Sequence, residues 1–257
     1  VLFFILLVFM ACQNSNPLLT EQQTPFGVPA FDQIKVEHYM PAFEAAIQAN
    51  QAEIDAIINN PAAPTFENTV EALDRTGELL DKVVGVFFNV LEADGNDEMN
   101  KIAEQVTPML SALSDGIILN DKLFQRVKAV YEQKDDLNLN PEQMRLLTET
   151  YKQFAQNGAN LPEDQKKRLM EINQELGLLS LQFGNNVVAE TNAYQLFITD
   201  ENELKGLPES AKAAAKEEAT AAGRPDAWLF TPKRTSFTPV LQYCENRELR
   251  KELLMAY

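Results

Sequence analysis

At 257 residues, the chain has room for one large domain or two small ones. Its 22 basic and 38 acidic residues leave a formal net charge of −16, which repels phosphate backbones and anionic headgroups and sets nucleic acid aside as a partner. Hydrophobic residues at 45% and charged residues at 23% fit an ordinary globular protein, and two cysteines, Cys12 and Cys244, give no disulfide framework.

Residues 1–11, VLFFILLVFMA, carry no charge and are almost all apolar. The run is too short to span a bilayer as a helix, but it matches the apolar region of a signal peptide. Ala11, then Cys12, then a polar stretch resembles a bacterial lipoprotein processing site. That resemblance implies cleavage before Cys12, lipidation of its thiol, and export to the periplasm or cell envelope. The membrane would then be reached only through the lipid on Cys12. A buried apolar strand or helix is the other reading of the run. Residues 12–30 are polar and contain prolines, which predicts an extended arm.

From residue 31 onward the pattern is helical. Phe43, Ile47, Ile54 and Ile57 or Ile58 share one face of a first helix, which Asn59, Asn60 and Pro61 end. Phe66, Val70, Leu73, Gly77, Leu80, Val84, Phe87 and Leu91 then recur in alternating steps of four and three. This predicts one continuous helix of roughly 40 Å, capped by Thr65. A parallel coiled-coil dimer is one use of such a stripe, but Gly77 and two aromatics in the seam favour helices folded back within one chain. A helix over 97–118 follows, with Met99, Ile102, Val106, Leu110 and Leu113 inward and Pro108 expected to kink it.

Asn120 caps a shorter helix. Asn140, Pro141 and Gln143 have the spacing of a capping box with proline in the first helical position. Leu169, Ile172, Leu176, Leu179, Phe183 and Val187 form another long stripe. AYQLFIT and AWLFTP read as a small strand pair near 194–232, separated by an alanine-rich helix over 208–222. KRTSFTP, a basic patch in an acidic chain, reads as a loop. The last twelve residues, NRELRKELLMAY, make an amphipathic helix capped by Asn246, with Leu249, Leu253 and Tyr257 on a stripe that awaits a packing partner. The expected fold class is mainly α, built of long antiparallel helices.

No catalytic set stands out, and no metal set does either. His38 is the single histidine, whereas a zinc site takes roughly three protein ligands, mostly His or Cys. His38 reads as a structural residue at a helix start, and Cys244 as a buried core thiol. There is no phosphate-binding loop, dinucleotide fingerprint or nucleophile elbow. The carboxylates lie opposite the apolar stripes and read as solvated.

A resemblance adds what the residues alone do not say. NPLL (16–19), FDQIKVEHYMPAFEAAI (31–47), PTFENTVEALDRTGELLDKV (64–83) and LPEDQKKRLMEINQELGLLSLQFGNNV (161–187) carry it. It continues through ETNAYQLFITDENELKGLPES (190–210), AWLF (227–230) and YCENRELRKELLMAY (243–257). In order and without large gaps, these resemble the amino-terminal half of the thimet-oligopeptidase-like zinc metallopeptidases, on the branch of bacterial peptidyl-dipeptidases and oligopeptidases A. The resemblance implies two mostly helical halves around a channel that admits short peptides. Residues 31–257 would be the amino-terminal wall, truncated before the catalytic half. In the family that other half holds zinc on HExxH, a motif that a chain with one histidine cannot contain. The expectation is therefore a piece with no catalytic or metal residue, no bound cofactor and no activity alone, whose partners are short peptides and the missing half. The alternative is a non-catalytic helical binding or scaffold lipoprotein.

Overall fold

The computed structural model describes residues 16–21 and 24–257. Cys12 and the apolar run lie outside the described residues. Contacts divide the chain into two compact units, one through Leu179 and one from Ser180 to Tyr257. No helix among the described residues is long and apolar enough to cross a membrane.

In the first unit, α1 (Val36–Ile58) starts where His38 closes a reciprocal cap. The His38 amide donates to Lys35 O at 3.0 Å, and the Lys35 amide donates to His38 Nδ1 at 3.1 Å. The histidine thus takes the structural role its place in the sequence suggests. The preceding arm is fastened to this helix and to α3 (Glu78–Asp94). Leu18 is fully buried, Asn16 Nδ2 donates to His38 O at 2.7 Å, and Lys82 Nζ donates to Thr20 O at 2.8 Å. Tyr39, Phe43, Ile54 and Ile57 form the buried face of α1, which packs on α3 and on α4 (Asp97–Ile118). Phe87 of α3 meets Tyr39 and Phe43 edge-on at 4.9 and 5.2 Å between ring centres, the arrangement that ring quadrupoles favour.

The continuous helix expected over residues 66–91 is broken. Thr65 caps a π-helical turn, Phe66–Glu71, which leads into the short α2 (Ala72–Asp74). The chain then turns at Gly77, whose φ of 85° is left-handed, and restarts as α3. Glu53 of α1 fixes the break: its Oε2 accepts from the Gly77 amide at 2.8 Å, placing a carboxylate on the N-terminus of α3. The restart also shifts the phase of the stripe. Leu80, Val83, Val86 and Phe87 are buried, whereas Val84 and Leu91 of the expected seam are only half-buried.

Met99, Val106 and Leu113 of α4 point inward as their spacing predicts, and Pro108 sits inside the helix. Asn120 Oδ1 accepts from the Leu123 amide to cap α5 (Asp121–Glu132), and Asn140 and Gln143 complete their capping box on α6 (Pro141–Gln156). α5 packs on α6, with Phe124 stacked on Phe154 and with Ile54 and Ile57 of α1 in the same core. α7 (Glu163–Ala193) begins in this unit. Its buried Lys166 donates to Leu119 O at 3.1 Å, at the end of α4, and pairs with Asp121. A cation at a helix C-terminus satisfies a carbonyl that has no partner within its own helix.

The second unit holds the expected strand pair. β1 (Leu196–Ile198) and β2 (Trp228–Phe230) are antiparallel, with Phe197 opposite Leu229, and α8 (Glu209–Ala221) packs on β2. KRTSFTP is not a loop: from Arg234 it begins α9 (Arg234–Tyr243). The segment becomes helical because Val240 joins a core with Ile198, Leu204 and Phe230, while Ser236 Oγ takes the Thr231 amide at 3.1 Å. Cys244 follows α9 as a buried thiol in that core. The last helix, α10 (Arg247–Ala256), is capped by Asn246 as expected, and two of the three residues of its stripe find their partners within the unit. Leu249 and Leu253 are buried in the same core, and Tyr257 stacks on Phe237 at 4.2 Å. The correction has a simple cause: the expectation came from the helix alone, and its partner elements lie up to about 50 residues upstream, at Ile198 and Leu204.

Candidate functional site

The polar side chains that carry chemistry elsewhere are engaged in structure here. His38 spends Nδ1 on the Lys35 amide. The Cys244 thiol donates to Glu203 O at 3.4 Å. Among the described residues, no group of three or more His, Cys, Asp or Glu is placed to hold a metal ion. The zinc implied by the resemblance therefore does not fit the residues present, and no step of chemistry is assigned to it in this chain.

Electrostatics follow the same pattern. The Asn202 backbone amide holds the Asp200 carboxyl below the ordinary carboxylate range, with the Asn202 side chain adding to the effect. The Arg224 guanidinium does the same at Asp226. Burial pushes the Tyr39 hydroxyl up, and at Tyr194 burial is joined by the negative charge of Glu252. These are a cap, a local ion pair and two tyrosines packed in or against the cores, not a matched acid and base.

What stands out is an uncovered surface. The apolar stripe read on α7 is correctly placed on one helix, but little of it is covered. In the first unit Ile172, Leu176 and Leu179 are exposed; in the second, Phe183, Val187 and Val188 are exposed, with Phe183 at 71%. Within each unit, neighbouring exposed large apolar side chains on a helix are unlike the scattered single exposures of ordinary surfaces. Apart from Val188, the residues that form the uncovered surface were visible in the sequence by their spacing. Their exposure was not, because spacing gives a face without saying what lies opposite. The structure also brings together a pair that no local pattern flags: Asn173 Nδ2 donates to the buried Asp115 Oδ1 at 2.7 Å across 58 residues of sequence.

The described residues make a mainly helical protein with no metal set among them and with exposed apolar side chains on α7. Comparison with known proteins identifies the relatives. The chain is 38% identical over 243 residues to a dipeptidyl carboxypeptidase of Salmonella typhimurium, covering 95% of this chain and 36% of that protein. It is 31% identical to oligopeptidase A of Escherichia coli over 95% of this chain and 35% of the relative. A probable cytosolic oligopeptidase A of Arabidopsis thaliana is 30% identical over 250 residues, again 95% of this chain and 35% of that one. No protein-family model matches. The chain is homologous to the dipeptidyl carboxypeptidases and oligopeptidases A of the thimet-oligopeptidase-like group, and it spans about a third of the length of these curated relatives.

Proposed function

We propose that the chain is a channel-wall segment of a zinc peptidase that hydrolyses short peptides, either releasing dipeptides from peptide C-termini or cutting oligopeptides. The observation that carries this reading is the similarity over 95% of the chain to a dipeptidyl carboxypeptidase. The exposed stripe of α7 supports it, because a wall segment has a face for the polypeptide that completes the enzyme. Zinc and the groups that cleave the peptide would come from polypeptide outside these 257 residues, so the chain alone is inactive.

A chimera tests this. The chain replaces its homologous segment in the Salmonella typhimurium dipeptidyl carboxypeptidase, and hydrolysis of a short blocked peptide is measured with and without a chelator. Chelator-sensitive activity is expected from the chimera and none from the chain alone. A folded, zinc-loaded chimera without activity would overturn the reading, as would chelator-sensitive hydrolysis by the pure chain. Export as a lipoprotein is part of the same proposal, supported by the apolar run before Cys12. Cys12→Ser is expected to move the protein from the membrane fraction to the soluble one; unchanged fractionation would remove the anchor.

A further inference from the structure

Three helices of the first unit enclose a groove of about 530 Å³, formed by α4 near its end, the last turn of α6 with the loop after it, and α7. At this groove lies Asp115, only 7% exposed. One amide, Asn173 Nδ2, donates to its Oδ1. Among the described residues no Lys or Arg forms an ion pair with it. Lys166, the buried cation of this unit, is occupied by Leu119 O and Asp121. Neither Asp115 oxygen is among the buried polar atoms left without a partner: Oδ1 has its amide, and Oδ2 stays open to accept from a donor that enters the groove.

The rest of the lining narrows what kind of donor would fit. No basic residue lines the groove. Gln153, Gln156, Asn157 and Asn160 contribute amides, and Asn157 commits its Nδ2 to Gln153 O at 2.7 Å, leaving Oδ1 as an acceptor. Leu161 and Leu169 supply apolar wall. One carboxylate among neutral amides is a poor metal site, since hard cations take about six oxygen ligands. It suits a group with three N–H donors and one positive charge. We infer that this groove binds a primary ammonium carried on an apolar stem, with Asp115 as the counter-ion, the amide oxygens as second acceptors and the leucines against the stem. A free peptide amino terminus and a lysine side chain share this chemistry. The inference stands independently of the proposed peptidase role.

The test is ligand-observed NMR and titration calorimetry on the whole chain, with n-pentylammonium as probe and n-pentanol as its uncharged counterpart. Two further arms separate the sources: a tetra-alanine amide with a free amino terminus beside its acetylated form, and Nα-acetyl-lysine amide. Saturable binding of pentylammonium, without binding of pentanol or the acetylated peptide, is expected. Binding by only one of the two further arms supports the site and names its source. Asp115→Asn is expected to weaken the probe about tenfold or more, the worth of a charge-assisted contact. Asn160→Lys, at an exposed position on the groove wall, is expected to do the same without touching the buried pair. Pentanol binding as well as pentylammonium, unchanged affinity in both variants, or no saturable binding of any amine would overturn the inference.

Discussion

Gly77→Ala separates the broken helix from the continuous one, because the two geometries predict opposite signs. In a continuous helix, replacing a mid-helix glycine by alanine stabilises by about 1 kcal/mol. In the structure Gly77 has φ 85°, where an L side chain costs about 1–2 kcal/mol. A Cβ there would also stand 3.1 Å from Nδ2 of the buried Asn50, which would have to give by a few tenths of an ångström. Less freedom in the unfolded chain returns about 0.5 kcal/mol. The net expectation is a loss of about 1–2 kcal/mol. Gly85 provides the control: it lies inside α3, and its added Cβ meets nothing within 4 Å. Gly85→Ala is expected to stabilise by about 0.5–1 kcal/mol. Urea unfolding by circular dichroism gives both values, and amide exchange across α3 localises them. If Gly77→Ala proved as stabilising as Gly85→Ala, the left-handed break and its Glu53 cap would be wrong.

Lys166→Met is expected to cost about 1–3 kcal/mol, because it leaves Leu119 O without its donor in a buried site. Asp121→Asn should cost under about 1 kcal/mol in the same unfolding assay, since that carboxylate is largely solvated; equal losses would show that the ion pair, not the carbonyl, matters. Asp200 has its folded value held below the ordinary 3.8, so its contribution is present above that value and lost as pH falls through the lower one. The midpoint gap between the wild type and Asp200→Asn should therefore be open near neutral pH and close in acid; a gap that widens in acid reverses the sign. Leu176→Glu on the open face of α7 should change stability by no more than about 0.5 kcal/mol while reducing binding of a hydrophobic dye. A loss of about 2 kcal/mol or more would mean that Leu176 is packed.

The sequence by itself determined what is encoded within a few residues. Asn120, Asn140 with Pro141 and Gln143, and Asn246 each announce a helix start, because a cap is one side chain reaching an amide two or three residues away. His38 as a structural residue, Cys244 as a core thiol and the strand pair around α8 were equally legible from their neighbours. Tertiary structure decided the rest, and each case has the same physical reason: the deciding partner lies far away in sequence. Glu53 meets Gly77 across 24 residues and stops a stripe that is periodic on paper. The core of the second unit draws KRTSFTP into a helix and buries Leu249 and Leu253 of α10. Asp115 meets Asn173 across 58 residues to make a groove that no motif marks. The stripe of α7 was periodic in the sequence, but that it stays open could be learned only from what the described residues place around it.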